Sequence, residues 1–191
     1  MRKTVCCFIA FLLISIASEG ALFKFRLINE ELYLEIFNNS QAEIDYRTFS
    51  YSFRNHHFSG VDKIILAFST SGIMYCNESN SNLSGSGAYF VVSKLQNSVL
   101  PNETKQKCII DKEFPCPLLP EGSFYLFVFL REFKNENFQL HTIGPVKVKI
   151  GSGKSVLSAV EISKESVSRQ ALEFVAAMSD DLKNSIQNLR H

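Results

Sequence analysis

The segment 123–133 is apolar at both odd and even positions. Successive side chains of a β-strand point to opposite faces, so a strand here has two apolar faces. One face carries Phe124, Leu126, Val128 and Leu130, and the other carries Tyr125, Phe127, Phe129 and Phe133. A strand of this kind needs a packing layer on each side. The pattern therefore predicts a central strand with two covers.

Shorter segments around this strand alternate between apolar and polar residues, which is typical of strands with one face in water. Segments 23–27 and 32–37 alternate on either side of Asn29, and this arrangement predicts a hairpin. The polar segments 54–57, 77–87 and 97–107 are predicted to be loops. Further strands are predicted at 46–53, 61–69, 88–92, 138–143, 146–150 and 156–162. Short strands separated by turns predict a mostly β fold, an antiparallel β-sandwich.

From Ser163 onward the hydrophobic spacing changes from two residues to three or four. This spacing predicts an amphipathic helix of about 25 residues, with Ser163 as its cap and a break at 179–181 as an alternative. The opposite face carries balanced charges, whereas membrane-surface helices are usually basic. Docking on the outer face of the sheet is therefore the favoured interpretation. The apolar stripe consists of Val167, Ala171, Phe174, Val175, Met178, Leu182, Ile186 and Leu189.

Residues 1–20 have the layout of a secretory signal peptide, in which two basic residues precede the apolar run 5–16 and small and polar residues follow. The run is too short for a membrane span, which needs about 20 residues. We therefore predict a secreted, extracellular protein with no stable membrane span. Residues 21–162 would form the β-sandwich domain, and 163–191 would add its C-terminal helix. Without the signal the net charge is −1 or 0, which lacks the basic excess of nucleic-acid-binding proteins.

Three cysteines remain after the signal peptide, namely Cys76, Cys108 and Cys116. The short spacing between Cys108 and Cys116 favours a disulfide that closes a small loop and contributes roughly 2–3 kcal/mol. Pairing of Cys76 with either of them is the alternative. Sequons of the form Asn-x-Ser/Thr predict glycosylation of a secreted chain at Asn38, Asn77, Asn82 and Asn102.

No set of residues has the spacing of a catalytic or metal site in the sequence. His56 and His57 are adjacent and have no second His/Cys cluster nearby, so we interpret them as part of a solvated turn. Segment 151–155 resembles the end of a phosphate-binding loop, but the template requires a glycine where Val148 stands. These observations predict a non-enzymatic protein with no metal site and no cofactor.

The closing part of the sandwich resembles the secreted lipid-recognition (ML) family. The resemblance rests on Cys116-Pro117, on Glu121-Gly122 before an aromatic strand, and on the returning segment 138–150. It is confined to about residues 108–150. It implies an immunoglobulin-like sandwich whose two sheets part to admit a lipid tail. The chain differs from the family pattern at Leu140-His141, where members carry a cysteine on the final strand, and in its long C-terminal helix.

Four phenylalanines are predicted to face one interior, namely Phe68, Phe90, Phe127 and Phe129. Aromatic walls suit lipid tails because they give large apolar contact without unpaired polar groups. A filled core is the alternative role for these residues. Together with the resemblance, they predict a secreted lipid-binding or lipid-carrier protein that holds an apolar ligand between two sheets. The alternative is a glycosylated interaction module that binds another extracellular protein through loops or an edge strand.

Overall fold

The computed structural model describes residues 20–47, 49–53, 56–61, 63–69, 72–73, 88–91, 97–110, 121–134, 137–152 and 155–188. Its strands, in chain order, are β1 (Ala21–Ile28), β2 (Glu31–Asn38), β3 (Ile44–Tyr46), β4 (Phe49–Phe53), β5 (His56–Val61), β6 (Lys63–Ser69), β7 (Gly72–Ile73), β8 (Ala88–Val91), β9 (Asn97–Val99), β10 (Thr104–Ile110), β11 (Gly122–Lys134), β12 (Asn137–Ile150) and β13 (Val156–Glu161). A 3-10 turn, Lys164–Ser166, and the helix α1 (Arg169–Asn188) follow.

Two antiparallel sheets contain most of these strands. The small sheet has the strand order β1-β2-β10. The large sheet is built on β11, which pairs along one edge with β12 and along the other with β6 and β3. On its other edge β12 pairs with β13, and β3 likewise pairs with β9. β6 also pairs with β7 and β8, while β4 and β5 form a separate hairpin. The prediction of a mostly β chain with antiparallel sheets and one C-terminal helix is confirmed.

The central strand β11 is covered on both faces, as its sequence predicts. Phe124, Leu126, Val128 and Leu130 belong to a core shared with the small sheet. The opposite face of β11 lies against α1, and its Phe127 and Phe129 are almost completely buried there. We call the first space the inter-sheet core and the second the helix core. The two parities of one strand thus define two separate hydrophobic cores.

The inter-sheet core is mainly aliphatic. β2 contributes every second residue to it, because its inward side chains alternate with partly exposed ones. The edge strands β1 and β13 add Phe23, Phe25 and Ala159 at the margin of this core. Its aliphatic members include Leu32, Leu34, Ile36, Ile44, Ile65, Val99, Ile109, Ile110, Val146, Val148, Ile150 and Val156.

The hairpin predicted around Asn29 is confirmed. β1 and β2 pair in continuous register from Ala21 opposite Asn38 to Ile28 opposite Glu31. The two turn residues, Asn29 and Glu30, have φ of 51° and 66°. A two-residue turn with positive φ at both positions matches the right-handed twist of the strands that it joins.

The helix α1 packs its predicted apolar stripe against the large sheet. Val167, Ala171, Phe174, Val175, Met178 and Leu182 are buried in the helix core, while the side chain of Ile186 and residue Leu189 lie outside the described part of the chain. Ser168, rather than Ser163, caps the helix, because its Oγ accepts a hydrogen bond from the Ala171 N–H at 3.3 Å. The helix runs without interruption through 179–181, where Ser179 is buried.

Three local predictions were wrong. The polar segment 97–107 contains β9 and most of β10, since a strand with one wet face needs few apolar residues. His56 and His57 lie within β5 and pair with Phe53 and Ser52, so they are not a turn. Segment 46–53 is divided between β3 of the large sheet and β4 of the separate hairpin. In each case the local pattern was too short to fix the pairing partner.

Candidate functional site

The predicted phenylalanine site lies in the helix core. Phe68 and Phe127 meet edge to face with ring centroids 5.9 Å apart, and Phe68 meets Phe174 of α1 in the same way at 6.1 Å. Phe129 is also fully buried in this cluster. Phe90 is paired with Ile64 in the β6–β8 register, and its side chain lies outside the described residues. Three of the four residues thus share one interior, but it lies between sheet and helix and not between the two sheets.

A group of polar side chains lies instead at one end of the inter-sheet core. We call Tyr46, Lys107, Glu132 and His141 the polar cluster. Strand register places all four on the inward face. Tyr46 of β3 is opposite Glu132 of β11, His141 of β12 is opposite the core residue Leu130, and Lys107 of β10 is opposite the core residue Leu34. The cluster therefore draws on both sheets.

The members of the polar cluster are in mutual contact. His141 Nε2 and a Glu132 carboxylate oxygen form a hydrogen bond. The Lys107 ammonium lies 5.5 Å from the centroid of the Tyr46 ring, within the range of a cation–π interaction. Phe23 connects the Glu132–His141 pair with the Lys107–Tyr46 pair. Its ring centroid is 5.0 Å from that of His141 and 6.5 Å from that of Tyr46. Charged and aromatic side chains thus form one continuous chain of contacts between the two sheets.

The hydroxyl group of Tyr46 is buried and has no hydrogen-bond partner among the described residues. Burial, and secondly the negative charge of Glu132, raises the pKa of Tyr46. The phenol is therefore a neutral hydrogen-bond donor at physiological pH. Leaving such a donor unpaired costs about 1–3 kcal/mol. Buried polar groups nearly always have partners, so this hydroxyl calls for an explanation.

Access to the polar cluster is greatest at His141. The His141 side chain is 17% exposed, whereas that of Glu132 is 5% exposed. The pairing of β12 with β13 is confined to Val146–Ile150 of β12. No described strand pairs with the remaining part of β12 on that side, and this part includes His141. The cluster therefore approaches solvent at the margin between β1 and β12.

The predicted disulfide cannot be examined among the described residues, since Cys76 and Cys116 lie outside them. Cys108 lies on β10 beside Tyr33, on the outward face of the small sheet. Its Sγ is 3.7 Å from the backbone oxygen of Leu32. The pairing of Cys108 with Cys116 stays a prediction.

Two of the four predicted glycosylation sites can be placed. Asn38 is fully buried, and its Nδ2 donates to the backbone oxygens of Ala42 and Val99, each at 2.8 Å. A glycan would occupy this same nitrogen. Asn102 is exposed and lies in a turn, with φ of 59°. Asn77 and Asn82 lie outside the described residues. The geometry favours Asn102 over Asn38, and glycosylation itself stays a prediction.

The described residues contain no group of three or more His, Cys, Asp or Glu side chains that could hold a metal ion. None of their helices has the length and apolar character needed to cross a bilayer. Comparison with known proteins found no matching family model, curated protein or solved structure. The function must therefore be inferred from the residues themselves.

Sequence reasoning missed the polar cluster because its members come from four separate strands. One signal was present, namely Arg131-Glu132 within a strand that is otherwise apolar on both faces. A charge at an inward position of such a strand requires a buried partner. That partner is His141, which returns opposite Leu130 in the next strand. The sequence did not point to this pair, because Glu132 is directly opposite Gln139 and His141 reaches it diagonally from its place opposite Leu130.

Proposed function

We propose that this protein is a secreted, non-enzymatic lipid-binding protein that holds an amphiphilic molecule between its two sheets. The single observation that carries the proposal is the buried Tyr46 hydroxyl without a partner among the described residues. It lies at the polar end of an otherwise aliphatic space. A ligand with an oxygen atom at that end would accept the Tyr46 hydrogen bond, and its tail would lie among the aliphatic side chains.

The composition of the inter-sheet core supports this proposal. Its aliphatic side chains offer no competing polar groups to a lipid tail. Each methylene that is transferred from water into such surroundings contributes about 0.8 kcal/mol, so that a few methylenes offset the cost of association. The proposed sandwich is of the immunoglobulin-like type, as the ML resemblance implies, with the ligand between the sheets. The ligand site is therefore reassigned from the helix core to the inter-sheet core.

Ligand uptake requires the sheets to move apart, because Leu34, Ile36 and Leu130 are fully buried in the structure. The margin between β1 and β12 is the proposed opening. Among the described strands, β1 has a partner on one edge only, which is β2. On its other edge the Phe25 N–H donates to the Glu161 carboxylate at 3.0 Å. Few hydrogen bonds between described residues therefore join β1 to the large sheet.

The proposal is tested by native mass spectrometry of the protein secreted from eukaryotic cells, before and after incubation with lipid vesicles. We expect additional mass that corresponds to one bound lipid. Tyr46→Phe should reduce the occupancy, whereas Tyr125→Phe, a tyrosine on the other face of β11, should not. A wild-type protein that carries no lipid under either condition would refute the proposal.

A specific surface feature favours a second candidate function, that of an extracellular interaction module. Leu22 on β1 is 51% exposed, and Leu157 and Val160 on β13 are 50% and 59% exposed. These two edge strands lie side by side, because the Val156 N–H donates to the Glu30 backbone oxygen at 2.8 Å. Exposed apolar edges of this kind are suited to strand addition by a partner protein. Light scattering of wild-type protein and a Val160→Lys variant would test self-association through this edge, which should be lost in the variant.

A further inference from the structure

We propose that the head group recognised at the polar cluster is an uncharged alcohol, as in a fatty alcohol or a monoacylglycerol, and not a carboxylate. This inference rests on the proposed function, since it names the class of ligand for the same site. It follows from the donors, acceptors and charges that face the Tyr46 hydroxyl.

The first step concerns the donor. Tyr46 can donate one hydrogen bond from a fully buried hydroxyl. A ligand at this position must therefore present an oxygen that accepts a hydrogen bond. Alcohols, esters and carboxylates all satisfy this requirement, whereas a hydrocarbon does not.

The second step concerns the acceptor. Glu132 is the register partner of Tyr46 on the same inward face, and an ionised carboxylate only accepts hydrogen bonds. One of its oxygens bonds to His141, and a carboxylate has further acceptor sites. An alcohol can accept from Tyr46 and donate to Glu132 at the same time. A ligand carboxylate can only accept, and would bring a second negative charge beside Glu132.

The third step is the balance of charge. The charged members of the cluster are the Lys107 ammonium and the Glu132 carboxylate, with His141 bonded to the latter. The Arg131 guanidinium stacks instead on Phe138, 3.8 Å from the ring centroid, on the other face of β11. Lys107 and Glu132 carry opposite charges within the cluster. A neutral ligand adds no charge to this pair, whereas an anionic ligand brings a further charge into a buried site.

The experiment compares oleyl alcohol, 1-oleoylglycerol and oleic acid, titrated at neutral pH into the mature wild-type protein and followed by native mass spectrometry. We expect both alcohols to bind at least about tenfold more tightly than the acid. Tyr46→Phe should weaken the binding of oleyl alcohol about three- to tenfold, the loss of one hydrogen bond, while Tyr125→Phe leaves it unchanged. Thermal melting should show that Tyr46→Phe is at least as stable as wild type, because an unpaired hydroxyl is removed.

The outcomes separate the two proposals. Acid that binds as tightly as the alcohols would overturn the inference while the lipid-binding function stands. Alcohol affinity that is unchanged by Tyr46→Phe would overturn the inference and also remove the observation that carries the proposed site between the sheets. Absence of binding of all three probes would count against the proposed function itself. Glu132→Gln provides a second measurement, since removal of the carboxylate charge should raise the affinity for oleic acid. If this variant does not fold, the wild-type ratio of alcohol to acid affinity still decides the question.

Discussion

Replacement of Leu182 by alanine should reveal how much the helix cover contributes to stability. Leu182 on α1 is fully buried in the helix core, where Phe129 and Met178 are also buried. Leucine-to-alanine substitutions at such positions cost about 2–5 kcal/mol, because they remove transfer free energy and leave a cavity. For a chain of this size, each kcal/mol lowers Tm by about 2–4 °C. We therefore expect Leu182→Ala to lower Tm by roughly 4–20 °C.

Leu172→Ala is the matched control for this substitution. Leu172 lies on the same helix and contacts the same core, but its side chain is only partly buried. The gain in helix propensity from leucine to alanine is common to both variants and cancels in the comparison. Since less apolar area is lost, Leu172→Ala should cost less than half as much as Leu182→Ala.

Urea unfolding followed by far-UV circular dichroism measures both free energies, and suits a chain that contains no tryptophan. The slopes of the two transitions should match that of the wild type, so that the differences report stability alone. Two results would refute the claim that packing of α1 on the large sheet stabilises the protein. One is an equal loss of unfolding free energy in both variants, and the other is a loss below about 1 kcal/mol for Leu182→Ala.

Three further predictions concern other parts of the molecule. Gly144→Ala should lower the free energy of unfolding by about 1–3 kcal/mol or more. Gly144 has φ of 113°, and an added Cβ would lie 2.6 Å from a backbone oxygen of β11. An unchanged midpoint of urea unfolding would contradict this prediction. The Tyr33 hydroxyl donates a hydrogen bond to the Glu31 carboxylate at 2.7 Å. This bond is the main reason why the pKa of Tyr33 is raised to about 12. The contribution of Tyr33 to stability should be complete below pH about 10, the unfolded value, and lost as pH rises towards 12; Tyr33→Phe should show a smaller loss across this window in unfolding experiments at a series of pH values. Asn102→Gln should remove a glycan from the secreted protein on intact-mass analysis, whereas Asn38 should be found unmodified by peptide mapping.

The alternation of the sequence was sufficient to predict the layers of the fold. The two apolar parities of β11 and the stripe of α1 each required a cover. Phe68, Phe127 and Phe129, three of the four predicted site residues, are buried in one cluster, and their role in ligand binding stays a prediction. The alternation of side chains along a strand does not say which layer covers which face. The three phenylalanines were therefore expected between the two sheets, whereas they lie beneath the helix.

Long-range register limited prediction of the site. Lys107 is hidden in a polar segment that reads as a loop, yet it points inward because β10 pairs with β2 in a register that places it opposite Leu34. His141 reaches Glu132 diagonally, because β11 and β12 pair across their shared turn in a register that places His141 opposite Leu130 and Gln139 opposite Glu132. A shift of one residue in either pairing would move these side chains to the opposite face.

The position of the helix is consistent with the proposed opening between β1 and β12. α1 covers the outer face of the large sheet, so that this sheet lies between two hydrophobic cores. Moving the large sheet away from the helix would expose the helix core to water. The small sheet has only the inter-sheet core to lose. β1 and the turn that follows it are joined to β13 by the bonds of Phe25 to Glu161 and of Val156 to Glu30. Each such bond contributes about 0.5–1.5 kcal/mol or somewhat more for the charged acceptor. Glu161→Gln should therefore ease displacement of β1, and hydrogen exchange at the Phe25 amide should accelerate before exchange on β11 does.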